Sequence, residues 1–140
     1  MQQLTVERSI WIDAPRERVW QAVTDPEQVA QWFLPPTLGA QMKRDDSGKI
    51  FVCMGDMEIP IAIFEALDPP RQVSSRGLPD RLLATTYTLD EENGGTRVTV
   101  TETGFEALPD DIRQQRFDST ARGYEKVLAG LKAHVERTDA

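Results

Sequence analysis

Residues 13–33, Asp-Ala-Pro-Arg-Glu-Arg-Val-Trp-Gln-Ala-Val-Thr-Asp-Pro-Glu-Gln-Val-Ala-Gln-Trp-Phe, read as two short helices set back to back. Each carries its own start signal. Pro15 suits a first helical position, where its missing N–H costs nothing. Val19, Trp20 and Val23 recur at helical spacing and predict a buried stripe. Asp25 and Pro26 then restart the chain as N-cap and first residue, and Gln28 is spaced for a capping box. Val29, Trp32 and Phe33 give the second helix an apolar face.

Working outward, the flanking segments change period. Leu4, Val6, Ile10 and Ile12 alternate with Thr5, Glu7, Ser9 and Asp13, the pattern of a half-buried strand, interrupted by Arg8 and Trp11. After the helix pair, strands at about 38–43 and 49–55 flank Asp45-Asp46-Ser47-Gly48, a hairpin sequence. Met57, Ile59, Ile61 and Ile63 share one face of the next strand, and Pro60 within it points to an edge or a bulge. Asp68-Pro69-Pro70 ends that strand, and 72–77 is a polar one. Strands at 82–89 and 96–103 are joined by Glu92-Asn93-Gly94-Gly95, a strong turn signal.

The remainder, from about Asp110 to Arg137, is one long helix. Phe117, Ala121, Tyr124, Leu128, Leu131 and Val135 fall four and three apart, as one buried stripe requires. Asp110 and Asp111 at its start, and His134 and Arg137 near its end, match the helix dipole. Gly123 and Gly130 each cost about 1 kcal/mol in a helix interior. For Gly123, beside the stripe, close approach to the sheet is the favoured explanation and tolerance the other.

Composition narrows the class. A chain of 140 residues, 39% hydrophobic and 28% charged, suits one globular domain over 1–140. No apolar run approaches the roughly 20 residues of a membrane span. Met1-Gln2-Gln3-Leu4 lacks the basic start and apolar core of a secretory signal. The single cysteine, Cys53, excludes an internal disulfide and leads to a cytoplasmic expectation. A net charge of −7 argues against nucleic acid as partner.

Several of these stretches carry a resemblance. The 13–33 block resembles the segment after the first strand in the SRPBCC (START-like, helix-grip) superfamily, closest to the branch homologous to the activator of the heat-shock chaperone ATPase. Asp68-Pro69-Pro70-Arg71 is similar to that family's Pro-Pro turn. Gly94 to Phe105 is similar to its last strand and exit. Gly123-Tyr124-Glu125-Lys126-Val127-Leu128 resembles its Gly-Trp segment, with Tyr124 where Trp is usual. The resemblance implies an α+β helix-grip fold: a curved seven-stranded antiparallel sheet wrapped around the C-terminal helix, with two short helices after strand 1. It also implies an apolar cavity between helix and sheet.

Geometry leads to the same cavity. Seven strands span about 29 Å at ~4.8 Å spacing, while a helix is only ~10–12 Å across. The sheet must curl, and the gap that results is either open or filled by the large side chains Trp20, Trp32, Phe33, Phe51, Phe64, Phe105 and Phe117. The expected lining is Trp32, Phe51, Cys53, Ile61, Ile63, Thr86, Phe117 and Tyr124. Tyr124 is the best candidate for a polar contact inside, with core packing as its other reading. Trp32 and Phe33 could close the mouth or simply staple the second helix.

Catalytic signatures are absent from the sequence: there is no G-x-S-x-G, no phosphate-binding glycine loop and no H-E-x-x-H. One His and one Cys make a poor zinc set, so neither metal nor cofactor is expected. His134 reads as solvated or facing the helix dipole, and Cys53 as a small buried hydrophobe. Glu58 and Glu65 could be general acids if buried, but read better as outer-face charges with Arg8 and Arg76. The expectation is a binding domain for a small apolar or amphipathic molecule, monomeric or homodimeric, favoured over an enzyme without settling that question. The alternatives are a cyclase- or hydrolase-like enzyme using a buried carboxylate or Tyr124, and a chaperone ATPase co-regulator.

Overall fold

A computed structural model of the chain describes residues 4–34, 39–78 and 80–137. The alternating segments form seven strands: β1 (Val6–Ile12), β2 (Gln41–Arg44), β3 (Lys49–Met54), β4 (Met57–Asp68), β5 (Gln72–Gly77), β6 (Ala84–Glu92) and β7 (Gly95–Thr103). The helices are α1 (Arg16–Thr24), α2 (Pro26–Phe33) and α3 (Asp110–Arg137). All strand pairs are antiparallel, in the order β1-β7-β6-β5-β4-β3-β2. This is the α+β helix-grip architecture, with a curved sheet around the long helix. Leu38, in the expected second strand, and Met1 to Gln3 lie outside the described residues.

The turns follow from their sequences. In the β2–β3 hairpin Asp45 Oδ1 accepts hydrogen bonds from Ser47 N, Ser47 Oγ and Lys49 N at 2.6–3.0 Å, an Asx-type turn. Asn93 and Gly94 both take positive φ, 51° and 80°, as a tight hairpin turn requires. Register shifts at Ile50/Phe51 and at Phe64/Ala66 bend the middle of the sheet. Pro60 lies at the first of these. It also falls in the half of β4 that β5 does not reach, since β5 pairs only from Ala62 onward.

The main core joins Ile12, Val19, Ala22, Val23, Trp32, Leu89, Val98 and Val100 to Leu128, Leu131 and Val135 of α3. Val19, Ala22 and Val23 form the buried face of α1, with Trp20 only partly covered. Phe117 and Tyr124, nearer the start of α3, pack against a second cluster built on Val6, Phe105 and Leu108. The stripe of α3 is therefore fully buried at its C-terminal end and half-buried before it.

Three sequence expectations change. Gly123 is exposed, and a Cβ there would meet nothing within 4 Å; it is tolerated, not required by packing. The close approach is at Gly130, where a Cβ would stand 3.1 Å from the Trp32 carbonyl oxygen. His134 is only 5% exposed, because α2 covers the last turns of α3, and its Nε2 lies 3.3 Å from Gln28 Oε1. Gln28 thus faces α3 and does not complete a capping box; Asp25 caps α2 alone, accepting from Glu27 N at 3.1 Å.

Burial, and next the charge of Arg137, hold the His134 imidazole below its ordinary value. The unfolded chain therefore takes up a proton at a higher pH than the folded chain. Stability contributed by neutral His134 is complete above about pH 7.5 and falls as pH drops through ~6.5 toward the folded value. In His134→Gln this segment of the stability–pH curve should flatten, as measured by urea unfolding at closely spaced pH values. An unchanged slope between the two proteins would show that His134 titrates normally.

Candidate functional site

Between α2, α3 and the concave face of the sheet lies a cavity of about 460 Å³. Its wall is mainly apolar: Val29, Trp32 and Phe33 from α2, Met42, Ile50, Val52, Ile61 and Phe64 from β2–β4, and Val73, Leu83 and Tyr87 from the far side. Phe33, 41% exposed, and Arg116 of α3 are its exposed members. Trp32 is fixed by Nε1 donating to the Ala22 carbonyl at 2.8 Å. Its indole also packs edge-on against Phe33 and Tyr87, with centroids 6.0 and 6.3 Å apart.

One buried charged group is built into this wall. Glu102 follows Val98 and Val100 on the inward face of β7 and is only 8% exposed. Thr85, its partner across the β6–β7 ladder, donates Oγ1 to Glu102 Oε1 at 2.7 Å. Tyr124 of α3 donates its hydroxyl to the same oxygen at 2.7 Å. Glu102 Oε2 has no hydrogen-bond partner among the described residues, and neither has the Tyr87 hydroxyl. Burial, and then the Glu102 charge, push the Tyr87 hydroxyl well above its ordinary value. Tyr124 is raised further still, by burial first, then by Tyr87 and Glu102. At neutral pH both phenols are therefore protonated and able to donate.

Trp32, Ile61 and Tyr124 of the expected lining stand on this wall. Phe51, Cys53, Ile63 and Thr86 do not, which corrects the sequence expectation. Ile50 and Val52 face the cavity, so Phe51 and Cys53, alternating with them, face away. Phe51 lies under the Lys43 ammonium at 5.6 Å. Thr85 and Tyr87 turn inward, which sends Thr86 outward, and Ile63 sits in register between Lys49 and Arg76. Phe117 packs edge-on against Phe105, with centroids 5.3 Å apart, in the second cluster. The error was one of phase: a one-residue slip moves a whole strand to the other face.

Glu58 and Glu65 are exposed and paired with Lys43 and Arg76, the outer-face reading. Glu102 was missed, although its signal was present: it keeps the even-numbered phase of Val98 and Val100. Among the described residues no three His, Cys, Asp or Glu side chains converge as a metal site would need. No helix of the described residues is long and apolar enough to cross a membrane.

The model of the family described as activator of Hsp90 ATPase homolog 1-like protein matches residues 13–136. The chain belongs to this family. The architecture places this activator-homologue branch within the SRPBCC superfamily, as the helix pair and the long final helix led us to expect. Similar solved structures include protein Ms6760 from Mycobacterium smegmatis, 24% identical over 96% of this chain and 92% of that one, with a TM-score of 0.73. Protein NE0264 from Nitrosomonas europaea is 17% identical over 96% of both chains, with a TM-score of 0.76. CalU16 from Micromonospora echinospora is 19% identical over 96% of this chain and 85% of that one, at 0.64. At these identities the likeness is one of fold alone. A comparison with curated proteins finds no match. The family match spans every cavity residue named above, Glu102 and Tyr124 included.

Proposed function

We propose that residues 1–140 act as one binding domain that encloses a small apolar or amphipathic molecule between the sheet and α3. The observation that carries this reading is the cavity of about 460 Å³ with its apolar wall, a size within the range of roughly 300–1,000 Å³ usual for ligand pockets. The raised Tyr124 hydroxyl favours binding over an enzyme using Tyr124 as acid or base, because such a phenol holds its proton at neutral pH. Residence in the cytoplasm belongs to the same proposal and is supported by the lone, unbridged Cys53; a monomeric or homodimeric state is proposed with it.

Ligand bound only by the folded state should raise the melting temperature. At a hundredfold excess over Kd the stabilisation is about 2.7 kcal/mol. An apolar fragment library read by thermal shift tests this directly. Ala62, small and on the wall, is the site to block: Ala62→Trp should abolish the shifts while the protein remains folded. Thr86→Trp, on the opposite face, should keep them. A library without hits, or hits that survive Ala62→Trp, would remove the binding reading. ATP turnover by Hsp90 with the protein added separates the chaperone role from it.

A further inference from the structure

We infer that the molecule held in this cavity carries a protonated amine, and that the amine seats on the free oxygen of Glu102. The inference rests on the binding reading above and specifies the chemistry of its ligand. An apolar cavity alone selects nothing but size and greasiness. Here it contains a carboxyl group that is 8% exposed and half satisfied. Oε1 accepts two hydrogen bonds, from Thr85 and Tyr124, which fixes the plane of the carboxyl and uses up that oxygen. Oε2 accepts none among the described residues. With no partner among the described residues, that oxygen is left to accept a hydrogen bond from a molecule in the cavity.

The donor set of the wall points to a cation. Arg116 is the basic side chain of the lining, and it is exposed at the surface; no Lys or His stands beside it there. An ammonium group supplies both a donor and a compensating charge, and charge-assisted hydrogen bonds are roughly twice as strong as neutral ones. The surroundings fit such a group. The Tyr87 ring lies in the wall, with its hydroxyl unpartnered among the described residues, and Trp32 packs edge-on against it. Electron-rich ring faces near a carboxylate favour a cation, while Val29, Val52, Ile61 and Phe64 offer apolar surface to its tail. An anionic ligand would meet the like charge of Glu102.

Three matched probes test this: 4-phenylbutylamine, 4-phenylbutanol and 4-phenylbutyrate, titrated into the full chain and followed by NMR chemical shifts. The amine should bind about tenfold or more tightly than the butyrate and more tightly than the alcohol, and Glu102→Gln should reduce the amine's advantage to about twofold or less. Butyrate or alcohol binding as well as the amine would overturn the inference and leave the cavity reading standing. An amine preference that persists in Glu102→Gln would do the same. Failure of all three probes would overturn the inference, and the fragment library with Ala62→Trp decides the cavity reading separately. Should Glu102→Gln not fold, contacts in the wild-type complex decide. Nuclear Overhauser effects from the amine-bearing methylene to the Tyr87 and Tyr124 rings support the assignment, and effects to Phe33 alone overturn it.

Discussion

Truncation before Asp110 is expected to leave an insoluble or molten product. Leu128, Leu131 and Val135 of α3 are buried against Ile12, Val98 and Val100, so removing the helix bares the concave face of the sheet. An apolar patch of that extent does not stay in water unpartnered. The same helix supplies the Tyr124 hydroxyl that holds Glu102. Its loss therefore also takes one donor from Glu102 and opens that carboxyl to water. The expected signs are dye binding, retained far-UV and lost near-UV circular dichroism, and no cooperative unfolding transition. A soluble truncation that unfolds cooperatively would show that α3 is an accessory. Leu128→Ala, a milder probe of the same interface, should cost about 2–5 kcal/mol.

Gly104→Ala is expected to have the largest effect of any single methyl group in the chain. Gly104 leaves β7 at φ 103° and starts the short turn at Phe105–Ala107. A side chain at that φ is strained by roughly 1–3 kcal/mol whatever surrounds it. An added Cβ would also press into the Leu82 carbonyl oxygen, a backbone atom that cannot rotate away. Phe105, fully buried directly after it, cannot move to make room. The combined cost should exceed about 4 kcal/mol, the range reserved for severe point changes. Denaturant unfolding reads it; a loss below about 1 kcal/mol would mean that the β7 exit relaxes freely.

Elements with long or punctuated patterns were legible in the sequence. α3 spans the expected Asp110 to Arg137 because six apolar residues at spacings of three and four leave few alternatives. The Asn93-Gly94 turn fixed the β6–β7 hairpin because few other sequences accept two positive φ values in succession. The cavity wall was harder, for a definite reason. In β3, Ile50-Phe51-Val52-Cys53 is apolar on both faces, so alternation carries no information about which face is inward. The bulges that shift register near Pro60 and at Phe64/Ala66 reset the phase along β4 as well. Ile61 lines the cavity while Ile63, two residues on, does not. Glu102 was legible in principle, by its phase with Val98 and Val100, but a charged residue near a strand end reads first as solvated. His134 was misread on similar grounds, since nothing local announces that α2 will cover the end of α3.

The paired hydroxyls on Glu102 Oε1 bear on how this protein could change its ligand over evolutionary time. Thr85 belongs to the sheet and Tyr124 to the helix, so the carboxyl between them rivets the two halves of the shell together at the spot where a ligand would be read. Replacing Glu102 to suit a new molecule would loosen the rivet in the same step. The greasy wall carries no such double duty: Val, Ile and Met there can exchange for one another at modest cost. Descendants of this chain should therefore diversify in the shape of their cavities sooner than in the charge at the cavity floor.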